Sequence, residues 1–260
     1  MKLDFDSESN MLEWVSQLEP RQCAIISDFE GSENYQNAAR VLETLSEDGL
    51  FDRWMDNSSS ALPPDFIDEK DGLMMEVMRF DDHSPDGKKN PNLARQRQMS
   101  RELEPMMHFF PNAKHVIVIP ATVLPTEEDH NYRFYYNGFK RTVAKHLAKI
   151  PSYRKNHPGM KIVFLVVDES SGVYFERPFG DKQLSFGRLH MPFCDKRLLE
   201  VFEQSDLDYL ILFCPFNHYE SQGGHLELPK LVIFDVRNMA CNEMLQRIDY
   251  DETRMFSREK

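Results

Sequence analysis

The segment Ile162–Val167 constrains this chain more than any other. Its six residues are all apolar and mostly β-branched, and they stand between the turn pair Pro158-Gly159 and the acid Asp168. The run falls far short of the about 20 apolar residues that span a bilayer. A continuous apolar run of this length reads as an interior strand covered on both faces. Such a strand needs helices above and below it, and the chain supplies them. Over residues 131–150, Tyr132, Tyr136, Phe139, Val143, Leu147 and Ile150 recur at steps of three and four, opposite Lys140, Arg141, Lys145 and Lys149. Over 33–48, Tyr35, Ala38, Leu42 and Leu45 line one face and Asp48-Gly49 ends the helix.

Further strands are read at Leu62–Ile67 and Leu73–Phe80, where Asp68-Glu-Lys-Asp-Gly72 between them predicts an antiparallel hairpin. His115–Ile119, Tyr209–Cys214 and Leu231–Phe234 have the same character. Helices falling between buried strands imply crossovers. The prediction is therefore an α/β protein with a mixed central sheet flanked by helices, built from 62–80, 115–119, 161–168, 209–216 and 230–236. Residues 33–248 are read as one α/β domain, with 1–32 as an N-terminal appendage and 249–260 as a charged tail. Residues 83–92 read as a loop, 92–104 as a basic helix, 172–175 as a short hairpin, and 195–204 and 238–248 as helices.

Composition narrows the function classes. Acids number 43 against 31 lysines and arginines, for a net charge of −12. Proteins that hold nucleic acid by diffuse attraction are usually basic, so any such partner must meet a local basic surface. No membrane span is expected, and the acidic N-terminus has no apolar signal region, so a cytoplasmic address is expected. The four cysteines form no CxxC pair and are expected reduced. Cys214, His218 and His225 match no common zinc spacing. There is no GxSxG, Walker loop or GxGxxG. Nothing here specifies an oligomeric state.

Glu76 is the outlier in the hairpin. It sits mid-strand between Met74 and Met78, on the face opposite Leu73, Met75 and Val77. A lone buried carboxylate is costly unless it is paired, hydrogen-bonded or bound to a cation. Asp65, on the preceding strand, is the nearest patterned acid. Two converging carboxylates make a hard-oxygen site suited to Mg2+ or Mn2+. Pro64-Asp65, a hairpin, then Glu76-Val77-Met78, with a helix before and a strand, long helix and strand after, resembles the core of PD-(D/E)XK nucleases over about residues 33–168. That resemblance implies a restriction-endonuclease-like core and metal-dependent hydrolysis of DNA or RNA. It implies that Asp65, Glu76 and the Val77 carbonyl hold the metal, with Glu43 as the candidate acid from the preceding helix. The family's lysine would fall at position 78, which is Met78 here. Lys140 on the long helix, or Arg95 and Arg97, would then supply the basic group. The alternative is an inactive nuclease-like scaffold that binds a partner.

Each of these residues also has a structural reading. Glu76 can serve in an ion pair and Asp65 as a turn residue. Asp81-Asp82-His83 reads as a solvated loop. Tyr132, Tyr135 and Tyr136 read more readily as core than as a base-stacking surface. Asp168 ends an interior strand, where open sheets place functional groups, and serves equally as a cap.

Overall fold

The computed structural model describes residues 7–46, 49–57, 64–82, 131–170, 172–179, 187–216, 219–221, 224–226, 228–239 and 246–258. The described elements run in the order α1 (Glu8–Ser16), β1 (Cys23–Ile26), α2 (Glu33–Ser46), α3 (Leu50–Arg53), β2 (Met55–Asp56), β3 (Phe66–Asp68) and β4 (Leu73–Phe80). There follow α4 (Tyr132–Leu147), α5 (Ile150–Asn156), β5 (Lys161–Asp168), β6 (Val173–Glu176), β7 (Arg188–Leu189), α6 (Lys196–Leu199) and β8 (Tyr209–Phe213). The last are β9 (Tyr219–Ser221), β10 (Gly224–Leu226), β11 (Leu231–Asp235), α7 (Val236–Met239) and β12 (Met255–Arg258).

Seven of these strands form the central sheet in the order β1-β11-β8-β5-β4-β3-β2. The β4, β5 and β8 strands are mutually parallel, β11 runs antiparallel to β8, and β3 returns antiparallel to β4. The protein is thus α/β with a mixed sheet. The β5 strand is central, and Ile162 to Val167 are each at most 1 % exposed.

The pleat sends alternate side chains to two layers. Met74, Met78, Phe80, Ile162, Phe164 and Val166 face a layer made by α4, α5, α6 and α7, which contributes Tyr135, Phe139, Val143, Tyr153 and Leu198. Met75, Val77, Val163, Leu165 and Val167 face α1, α2 and α3, which contribute Met11, Leu12, Ala38, Leu45 and, just after α3, Trp54. The Trp54 indole N–H donates to the Thr44 carbonyl at 3.2 Å, so even this fully buried ring keeps its polar atom satisfied. On that same side, Arg53 reaches the buried Asp68 carboxylate at 2.8 Å and also meets Asp71, which pins α3 to the β3–β4 turn.

The α4 helix begins at Asn131, whose side chain accepts from the Phe134 N–H at 2.9 Å. Tyr132 and Tyr135 are buried, in line with the core reading, and the Arg197 guanidinium lies 4.0 Å from the Tyr136 ring centroid.

Two terminal segments join the structure more closely than their sequence suggests. Within 1–32, α1 buries Met11, Leu12 and Val15, and β1 is an edge strand paired in parallel with β11. Within 249–260, β12 pairs with β6 in a small sheet completed by β7. The expected strand at 115–119 and the basic helix at 92–104 lie outside the described residues, as do Arg95 and Arg97. No helix among the described residues is long and apolar enough to cross a membrane.

Candidate metal centre at the hairpin

The hairpin register pairs Phe66 with Met75, Ile67 with Met74 and Asp68 with Leu73. Carried one step further, it sets Asp65 opposite Glu76, on the same face of the sheet. The β4 strand runs on to Phe80 without a β3 partner, so the Val77 N–H has no ladder acceptor on that side. Asp65 supplies one, its Oδ2 accepting from Val77 N at 2.7 Å. The N–H and C=O of a residue point to the same side of an extended strand. The Val77 carbonyl is therefore directed to the side on which Asp65 stands.

Glu76 is 3 % exposed, and its Oε1 accepts from His146 Nδ1 at 2.6 Å and from Lys149 Nζ at 3.0 Å. The two donors come from the end of α4 and the link to α5, three residues apart and hence on one helical face. Burial by itself pushes the Glu76 pKa up. His146, Lys149 and the adjacent Tyr153 hydroxyl outweigh that effect and hold the carboxyl below its ordinary range. Its other oxygen, Oε2, is buried and makes no formed hydrogen bond, and the Tyr153 hydroxyl beside it is in the same condition.

Asp65 responds in the opposite sense. Burial, and then the Glu76 charge, push its carboxyl up to about 6, although the Val77 N–H pulls the other way. Glu8, at the start of α1, adds to the upward push. Here two carboxylates repel each other beside an uncommitted buried oxygen, and a cation relieves that repulsion.

A groove of about 490 Å³ adjoins the pair along the free edge of β4. Arg79, Arg141, Lys145 and His146 line it, with Glu8 and Val77 at the same wall. This is a local basic surface on an acidic chain.

The structure brings Asp65, Glu76 and Val77 together. Glu43 is exposed on α2, in the opposite layer, and lines an apolar groove with Cys23, Ile25 and Leu231 at the β1 edge. The extra acid near Asp65 is Glu8 instead. Lys140 is also exposed, with its ammonium 5.9 Å from the Tyr136 ring centroid. The lysine that reaches Glu76 is Lys149, and His146 stands beside it. Both belong to the basic face noted at 140–149 or lie next to it. Their contact with Glu76 depends on how far α4 extends beneath β4, which periodicity alone does not fix.

Elsewhere, Asp82 is buried rather than solvated, and Cys214 is buried beside Asp168. His83 and His218 lie outside the described residues. Among the described residues, no group of three or more His, Cys, Asp or Glu side chains is arranged to hold a metal ion. Comparison with family models, curated proteins and solved structures finds no match for this chain.

Proposed function

We propose that the chain is a metal-dependent phosphodiesterase acting on nucleic acid, with a divergent restriction-endonuclease-like core formed by α2, the β3–β4 hairpin, α4 and β5. The observation that carries this reading is the pairing of Asp65 with Glu76 across the hairpin, with Glu76 Oε2 buried and uncommitted. These residues fit a hard cation. Asp65 and Glu76 supply carboxylate oxygens, and Val77 supplies a carbonyl on the same side. Mg2+ or Mn2+ bound there lowers the pKa of a coordinated water and offsets charge on the attacked phosphate.

The rest of the proposed chemistry belongs to the chain's own groups. Lys149, together with His146, takes the place of the lysine missing at Met78. Both hold donors beside the carboxylates, where negative charge grows as a phosphate is attacked. Arg79, Arg141 and Lys145 hold the flanking backbone in the groove by charge, without reading its sequence.

The test is cleavage of single- and double-stranded DNA and RNA with Mg2+ or Mn2+, with Glu76→Gln alongside. Cleavage that requires the metal and falls at least a hundredfold in the variant is expected. Equal cleavage by the folded variant would refute the reading.

One observation favours a second reading, a nuclease-like scaffold that binds without cutting. His146 and Lys149 already occupy Glu76 Oε1, which lessens its need for a metal. That reading predicts nucleic-acid binding that is indifferent to Mg2+ and weakened by Arg141→Glu. Stabilisation by Mg2+ that is lost in Asp65→Ala would sink it.

A further inference from the structure

A second pair of acids lies beyond the hairpin, at the carboxyl ends of the parallel strands β4 and β5. Asp168 is the last residue of β5, paired in register with Phe80, and Asp82 follows two residues after Phe80. Open sheets place ligands in the crevice outside such strand ends. Asp82 is 1 % exposed and Asp168 is 7 % exposed. Around them the protein offers neutral donors. The Tyr174 hydroxyl donates to Asp82 Oδ2, the Tyr135 hydroxyl donates to Asp168 Oδ2 at 2.9 Å, and the Ser170 N–H donates to Asp168 Oδ1 at 3.0 Å. Among the described residues no lysine or arginine pairs with Asp168, and the Asp82 charge repels it.

Hydrogen bonds from hydroxyls only partly offset the cost of burying a carboxylate, and here two share one pocket. A void of about 20 Å³ lies against this pair, with Asp168, Ser170, Cys214 and Tyr174 in its lining. It is the size of one water or one bare ion. The Ser170 side chain aims into it. Ser170 is 8 % exposed, and its Oγ makes no formed hydrogen bond although it stands within reach of Asp168. Gly172 keeps the wall open, because a Cβ there would lie 2.7 Å from Asp82 Oδ2.

We infer that this void is a second cation site, in which Asp82, Asp168 and the Ser170 hydroxyl hold one divalent ion of the Mg2+ or Mn2+ class. Two buried carboxylates carry two negative charges, which one divalent ion balances. The donors are hard oxygens, and the small volume suits the smaller divalent ions over Ca2+ with its six to eight ligands. Its ligands are separate from Asp65 and Glu76, so the site stands or falls independently of the proposed nuclease centre.

The experiment counts Mn2+ bound to the full chain, stripped with chelator beforehand, by the electron paramagnetic resonance of free Mn2+. Two ions per chain are expected for the wild type, one for Glu76→Gln and one for Asp168→Asn, with folding of each variant checked by circular dichroism. Should Asp168→Asn fail to fold, Ser170→Ala decides. It is expected to weaken one of the two sites about tenfold, in the range seen when a metal site loses a supporting group, and to leave the other unchanged.

A folded Asp168→Asn, or a Ser170→Ala, that matches the wild type in both count and affinity overturns this site. So does a wild type whose only ion is lost in Glu76→Gln. An ion retained in Glu76→Gln and lost in Asp168→Asn supports this site while removing the metal from the hairpin centre. No bound Mn2+ in the wild type means that a water or a shared proton fills the void, and overturns the inference.

Discussion

Replacing Asp65 by asparagine should make the metal-free protein more stable at pH 8. Asparagine keeps an oxygen for the Val77 N–H but carries no charge to repel Glu76. The Asp65 carboxyl is lifted from its ordinary 3.8 to about 6, by burial first and then by the Glu76 charge. A displacement of that size corresponds to about 3 kcal/mol. The solvent that reaches Asp65 screens this to about 1–2 kcal/mol. The sign follows from proton binding. Between 3.8 and about 6 the native state holds this proton more tightly than the unfolded chain. Stability therefore falls as pH rises through that window and stays reduced above it.

Urea unfolding of both proteins in chelator, at pH 8 and at pH 5, measures the effect. The variant should gain about 1–2 kcal/mol at pH 8 and about half of that at pH 5. Added Mg2+ should then stabilise the wild type at pH 8 and leave the variant unmoved. A variant less stable than the wild type at pH 8, or a gain identical at both pH values, would show that Asp65 does not carry the repulsion described.

Other expectations concern the frame around the site. Phe164→Ala empties a fully buried position on the α4 side of β5, and should cost about 3–5 kcal/mol by thermal or urea unfolding. Arg53→Ala leaves the Asp68 carboxylate, which is 0 % exposed, without its guanidinium, and should cost about 3–5 kcal/mol. Lys149→Met removes one of the groups that hold the Glu76 pKa down. Its carboxyl, followed by carbon-13 NMR, should titrate at higher pH than in the wild type, and acid unfolding should begin at higher pH.

The sheet was legible wherever a strand is buried on both faces or alternates cleanly. Ile162–Val167, Tyr209–Phe213 and Leu231–Phe234 all become central strands, and the turn residues before Gly72 predict the hairpin register that sets Asp65 opposite Glu76. The edge strand β1 was seen only as a short apolar run, because nothing local says that Cys23–Ile26 will find β11. At the site, Glu76 was visible as a charge in an apolar strand, but its partners were not. His146 and Lys149 reach it only because α4 lies across β4, and Glu8 nears Asp65 only because α1 packs beneath the same sheet. Asp82 looked like a loop acid, since its burial is produced by Tyr174 and Gly172, about 90 residues away in the chain.

The pairing of β1 with β11 has a consequence for how the molecule is made. Cys23 meets Leu231, so the two strands join only after about 200 intervening residues have left the ribosome. Contacts this distant along the chain form late and slow the search for the native state. Until then β11 presents an open, apolar flank, which is the kind of edge on which nascent chains aggregate. Deleting the first thirty residues would make that transient exposure permanent, and such a truncated protein should precipitate on expression.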